Sequence, residues 1–386
     1  MKKTLAAVAV LGAFAGSAIA ADVTLYGVVD TGVGYNHVDF DGYGAKDDID
    51  SFSMMSGQAS GSRWGLKGTE DLGNGLTVGF ILEDGIKSDT GVDDGVMFNR
   101  ESSLFLQGDF GRFAMGRLGA INNGQSSWAK MGMLSAFGTS DWGGYSAQLS
   151  NLMSTAGQWD NMIAYETPKF AGFQVFAQYS MGNSEKGAVE NESSADRYYA
   201  IGATYETGPF AAYLAVDSKN YKSWYTTGEG DAAVTSAHDT DDSLTVTLGG
   251  SYDFEVAKVY LGGQYFDEVA LSSLGGIIKG QSLGEGAAKV KGYGLTLSAD
   301  APVAGGKVMA GLGYVDAEAA DSEDQSAYKD LELTRYAFSV GYDYPFSKRT
   351  DVYAVASYMQ DQLDRTATES NDLSAYTVYV GLRHKF

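Results

Sequence analysis

The side chains able to do covalent or metal chemistry are few and scattered. Three histidines and no cysteine occur in 386 residues, which excludes thiolate zinc sites, disulfide scaffolds and cysteine catalysis. His37 and His238 stand in acidic stretches, and His384 lies close to the carboxy terminus. Two histidines in acidic loops and one on the final strand indicate neither a catalytic triad nor a metal cluster. No phosphate-cradling loop occurs, and Gly311-Leu312-Gly313 is followed by no helix, so it is not a dinucleotide fingerprint. Aspartates crowd two places, Asp39, Asp41, Asp47, Asp48 and Asp50, then Asp89, Asp93 and Asp94. They lack the order of a calcium loop and read as solvated acidic faces, with weak divalent cation binding as the alternative.

With enzymatic chemistry unsupported, the elements carry the argument. The 27 lysines and arginines against 49 acids give a net charge of −22, which argues against a nucleic-acid partner, since phosphate binding needs clustered bases. Fifty-one glycines, four prolines and 44% hydrophobic residues exclude collagen-like and Pro-rich disordered chains. Lys2 and Lys3, the apolar run from Leu5 to Ala15 and the small-x-small Ala18-Ile19-Ala20 predict a secretory signal peptide over residues 1–20, cut after Ala20. The exported chain is then 21–386. Losing Lys2 and Lys3 takes its net charge from −22 to −24.

Alternation predicts strands. Tyr376, Val378, Val380, Leu382, His384 and Phe386 share one parity, against Thr377, Tyr379, Gly381, Arg383 and Lys385; Leu76, Val78, Phe80 and Leu82 do the same against Thr77, Gly79, Ile81 and Glu83. A soluble sandwich alternates too. The connections discriminate: seven tight turns, among them Asp71-Leu72-Gly73-Asn74-Gly75, Gly108-Asp109-Phe110-Gly111 and Tyr344-Pro345-Phe346-Ser347, alternate with longer acidic links. That sorting is expected of an outer-membrane barrel with short turns at one end and long loops at the other. Seven turns pair fourteen strands and one more at each end gives sixteen, enough for an aqueous lumen. Tyr26, Tyr165, Tyr179, Tyr265, Tyr336 and Tyr358 near the presumed strand ends would form aromatic girdles.

One link is anomalous. About forty residues, roughly 118–159, carry Trp128, Met131, Met133, Phe137 and Trp142, with Asp141 and Lys130 as their only charges. So long a link is usually functional, and its apolar side chains predict a loop folded into the barrel rather than an external lid.

Several segments together resemble the general-diffusion porins of Gram-negative bacteria: Asp22-Val23-Thr24-Leu25-Tyr26-Gly27, Ser60-Gly61-Ser62-Arg63-Trp64-Gly65-Leu66-Lys67-Gly68, Phe98-Asn99-Arg100, Gly116-Arg117 and the terminal Gly381-Leu382-Arg383-His384-Lys385-Phe386. The resemblance spans the chain. It implies an all-β, 16-stranded antiparallel transmembrane β-barrel in the outer membrane, usually a homotrimer, whose third external loop narrows the lumen and opposes its acids to bases on the wall. Arg63 and Lys67 lie on the parity opposite Trp64 and Leu66, consistent with the family's wall bases. Arg100 is the second family position, although it shares the parity of Leu104 and Leu106, which calls for a bulge or a strand end there. The family often has a further arginine just after the loop, and Gln158 to Tyr165 contains no base. Arg117 at the loop's root is a candidate substitute, with pairing to a nearby acid as the alternative. Asp141 is the candidate opposing acid.

The functional expectation is passive diffusion of small hydrophilic solutes and ions, with mild cation preference because the mouth is acidic and the basic wall thin. A channel for one sugar or peptide is the alternative, with Trp128 and Trp142 as its only support. No cofactor is expected. The expected partners are further copies of the chain, lipopolysaccharide and outer-membrane lipid, and the barrel-assembly machinery through the strand ending at Phe386.

Overall fold

A computed structural model describes residues 22–41, 48–123, 126–139, 142, 149–182, 196–221, 224–227, 234–237, 241–277, 288–321, 328–366 and 369–386. The chain runs through β1 (Asp22–Asp39), β2 (Ile49–Ser56), β3 (Arg63–Gly73), β4 (Leu76–Gly85), β5 (Glu101–Gly108), β6 (Gly111–Gly119), β7 (Gln158–Glu166), β8 (Phe173–Ser180), β9 (Arg197–Thr207) and β10 (Phe210–Asn220). It continues with β11 (Trp224–Thr227), β12 (Val234–Ala237), β13 (Ser243–Asp253), β14 (Lys258–Ala270), β15 (Lys289–Val303), β16 (Gly306–Ala319), β17 (Glu332–Pro345), β18 (Thr350–Thr366) and β19 (Glu369–Lys385). β11 and β12 form a separate ribbon, and the other seventeen segments make one antiparallel sheet. β2 and β3 pair with successive stretches of β1, so they occupy one wall position broken at 57–62. The wall therefore has sixteen strands, and β1 pairing with β19 closes it.

Among the described residues no helix is long and apolar enough to cross a membrane; the strands do the crossing. Their two parities separate cleanly. On β19, Tyr376, Val378, Val380 and Leu382 are exposed, while Ala375, Thr377 and Tyr379 are buried. An exposed apolar exterior opposite a polar interior is what a barrel in lipid requires. Around it, Tyr265, Tyr293, Tyr336, Tyr358 and Tyr376 stand exposed toward one end, and Phe173, Phe210, Tyr252, Phe254, Tyr344 and Phe346 toward the other, as two aromatic girdles. Tyr26 departs from the expected girdle. It alternates with exposed Leu25 and pairs with Gly65, so its phenol turns inward and donates to Glu83.

All seven tight turns lie at the end where β1 begins and β19 finishes. There Gly27 and Phe386 exchange both backbone hydrogen bonds, at 3.2 and 3.1 Å, which joins the last residue to the first strand. At the opposite end the expected alternation of short and long links fails once. β18 and β19 run 17 residues each and still pair at Thr366 and Glu369, so length that would have been loop is strand. The wall is uneven as a result: β4 to β8 span 8 to 10 residues, and β15 to β19 span 14 to 17.

Candidate pore constriction

Register fixes which way the wall bases point. Across β1 and β3, Val28 faces Arg63 and Thr24 faces Lys67, while Leu25 faces Leu66 and Gly27 faces Trp64. Leu25 is exposed on the outside, so Arg63 and Lys67 project into the lumen, as expected from their parity. Arg100 lies one residue before β5, outside the regular pleat. Freed from strand parity, its side chain turns inward too, by the strand-end route rather than a bulge.

The acid that organises these bases is Glu83 on β4. Its Oε1 accepts from Arg100 Nε at 2.7 Å, and its Oε2 lies 3.5 Å from Arg63 Nε and accepts the Tyr26 hydroxyl at 3.0 Å. Arg63 also donates to Ser60 Oγ at 3.1 Å and to the Gly61 carbonyl at 2.7 Å, in the break between β2 and β3. Such fixed guanidinium–carboxylate geometry holds charges at defined points on a wall. Lys67 forms no ion pair among the described residues and lies 5.0 Å from the Tyr26 ring. Together with Lys87, Asp94 and Glu101 these residues line a polar cleft of about 400 Å³, closed on its far side by Ser126 and Ser127 of the long loop. A smaller cavity of about 220 Å³ continues from Lys67 to Arg112.

The described residues of the loop rest on the inward parity of the wall. Ser127 donates backbone and hydroxyl hydrogens to buried Glu101, at 3.1 and 2.9 Å. The Ala136 amide donates to Ser298 Oγ at 3.0 Å, and the Trp142 amide donates to the Gln58 carbonyl at 2.6 Å. Asn122 at the loop's root donates to buried Asp217 and accepts from Tyr213. Trp128 is buried beneath the Arg112 guanidinium, 4.2 Å from its ring. Trp142 is buried against Phe137 and Tyr353. Both indoles serve packing, and neither offers a face to a passing solute. Lys130 lies over the Phe176 ring at 4.9 Å; burial, with a smaller contribution from the Arg112 charge, holds its ammonium pKa below the usual lysine range.

Arg117 differs from the expectation of a base facing the pore. It pairs in register with Ser102 on the parity of exposed Leu104 and Met115, and it binds the Asp160 carboxylate and the Asn99 carbonyl, the latter at 2.7 Å. The cause is plain alternation: Arg117 follows outward Met115 by two residues, and its pairing with β5 is unbroken. The register between β6 and β7 slips between Gly116 and Leu118 by an extra residue on β7, which leaves the parity of β6 intact. Asp141 lies outside the described residues. Glu83 was available in the sequence as the one charged member of the polar parity of β4, but without the register nothing tied it to Arg63 and Arg100. Among the described residues no group of three carboxylate or imidazole side chains could hold a metal ion.

A closed barrel with an apolar outer face, a charged lumen and one narrow polar cleft is a transmembrane pore rather than a catalyst. The Gram-negative porin family profile matches residues 6–364, and the chain belongs to that family. It is similar to an outer membrane porin protein of Bordetella pertussis, 36% identical over the whole of both chains, and to outer membrane porin protein 32 of Delftia acidovorans, 31% identical over the whole of both. Among solved structures it resembles the anion-selective porin from Comamonas acidovorans, with a TM-score of 0.66 and 29% identity over 95% of this chain and all of that one. The protein is an outer-membrane channel and not an enzyme. The tight-turn end accordingly faces the periplasm.

Proposed function

We propose that the channel carries small hydrophilic solutes and ions by passive diffusion, with the cleft between Glu83, Arg63, Arg100 and Lys67 on one side and Ser126 and Ser127 on the other as its narrowest part. The polar cleft of about 400 Å³ carries this reading. Its bases and acids are paired on the wall itself, so a dipolar solute is oriented by fixed charges and meets no apolar barrier. The loop 118–159 sets the size limit. Its tryptophans are engaged in packing, which removes the feature that favoured a channel dedicated to one sugar or peptide. Liposome swelling with a graded series of sugars tests the reading: rates falling smoothly with size support it, and saturable uptake of one solute refutes it.

Mild cation preference follows from the charge of −24 on residues 21–386, which concentrates cations at the mouth over a Debye length of about 8–10 Å. The contrary reading, mild anion preference, is favoured by the cleft, where Arg63, Lys67, Lys87 and Arg100 outnumber Glu83, Asp94 and Glu101, and by the anion selectivity of the Comamonas relative. Reversal potentials in a KCl gradient decide between them. The working assembly in this reading is a homotrimer, with the outward face against lipid and lipopolysaccharide. The acidic loops meet lipopolysaccharide phosphates through weakly held divalent cations, and the Phe386 strand is offered to the barrel-assembly machinery. Residues 1–20 act as the cleaved export signal.

A further inference from the structure

A second segment shares the lumen with the long loop, and one arginine holds both. After β14 the chain turns through a short 3-10 helix, Leu271–Leu274, and Leu271, Leu274 and Ile277 are all buried. They pack in one apolar cluster with Leu149, Leu152 and Met153 of the long loop. The seat on the wall is made of glycine. A β-carbon on Gly294 would lie 1.6 Å from the Leu152 carbonyl oxygen, so no other residue permits this backbone approach, and one on Gly313 would lie 2.4 Å from the Leu152 side chain and force it to shift.

Arg335 on β17 is the junction. Its side chain is fully buried on the lumen parity, where Nε and Nη2 donate to both oxygens of equally buried Asp361, at 2.6 and 2.8 Å. The remaining Nη1 donates to the Asn151 carbonyl of the long loop and to the Leu274 carbonyl of the second segment, each at 2.6 Å. Two direct links join the segments, Ser154 Oγ to Ser273 Oγ at 2.9 Å and the Gly276 amide to Asn151 Oδ1 at 3.0 Å. A desolvated ion pair is weak evidence for stability, but a planar five-donor fork that reaches one carboxylate and two separate backbones is a positioning device.

We infer that Arg335 and Asp361 set the open cross-section of the pore by clamping the two inward segments together against β15 to β17, so that solutes are confined to the cleft on the β3 to β5 side. The inference rests on the diffusion-channel reading. Breaking the clamp releases lumen area without touching a residue of the cleft.

The test exploits the absence of native cysteine. Ser154→Cys with Ser273→Cys places two thiols where the hydroxyls are 2.9 Å apart, within reach of a disulfide. In planar bilayers the triple variant Ser154→Cys/Ser273→Cys/Arg335→Gln is opened oxidised and then reduced in the chamber. Reduction raises conductance by on the order of twofold, because the water-filled cross-section of a wide barrel sets its conductance; in the double variant that keeps Arg335, reduction changes little. Asp361→Asn, which spares both carbonyl contacts, gives a smaller rise and remains available if the arginine variant folds poorly. No step on reduction, equal steps with and without Arg335, or unchanged conductance in folded Asp361→Asn overturns the inference. Failure of the underlying reading is separate: the wild-type protein would show saturable transport of a single solute.

Discussion

Replacing Glu83 with glutamine removes one negative charge from the cleft while keeping an acceptor for the Arg100 Nε, so the guanidiniums hold their places. The effect can be sized from the cavity. About 400 Å³ is the volume of a sphere roughly 4.6 Å in radius, so an ion midway across passes roughly 5 Å from the lost charge. At that distance unit charges interact by about 0.8 kcal/mol in water, and screening at 0.1 M salt leaves about 0.5 kcal/mol. That alters the local concentration of a monovalent ion about twofold, in opposite senses for cation and anion, so the cation-to-anion permeability ratio falls by about four- to fivefold. The assay is the reversal potential of Glu83→Gln against wild type in a KCl gradient. An unchanged ratio, or a shift toward cations, would refute the placement of Glu83 beside the conducting path.

Lys67→Gln shifts the same ratio toward cations by a similar factor, since Lys67 borders both cavities without an ion pair among the described residues; a smaller response than that of Arg117→Gln would remove it from the path. The depressed pKa of Lys130 means that rising pH neutralises it before ordinary lysines. Selectivity therefore moves toward cations at a pH below the usual lysine range, and Lys130→Met abolishes that component of a pH titration of reversal potential. Trp142→Ala empties the space between Phe137 and Tyr353 and weakens loop docking by about 3–5 kcal/mol, which appears as conductance noise in barrels that still migrate as folded on unheated gels. Deleting Phe386 removes both backbone bonds to Gly27 and lowers the yield of folded barrel in detergent refolding.

Strand number and inward parity were legible because each depends on local pattern. Alternation in β4 and β19 states which residues share a face, and the tight turns state how many strands there are. What depends on pairing between distant strands was not legible. Nothing near Glu83 in sequence reveals that Arg63, Arg100 and Tyr26 converge on it, since register decides this and a slip of one residue would reverse it. Arg117 is a different case: its outward parity with Phe113 and Met115 can be read from the sequence, but its position at the root of the loop makes it look like a pore base. Tyr26 is a girdle candidate by type and position alone; its alternation with Leu25 and Gly27 puts it inside. Asp217 is buried on Asn122 and Thr245 and secures the loop's root, a contact between distant segments that local pattern does not show. Replacing it tests loop anchorage and not selectivity.

The uneven wall has a consequence for how the outside meets the pore. Strands of 14 to 17 residues on one flank and 8 to 10 on the other differ by about six residues, or roughly 15 Å of height once tilt is allowed for. Among the described strands, the ladder of backbone hydrogen bonds therefore reaches further from the tight-turn end beside β15 to β19 than beside β4 to β8.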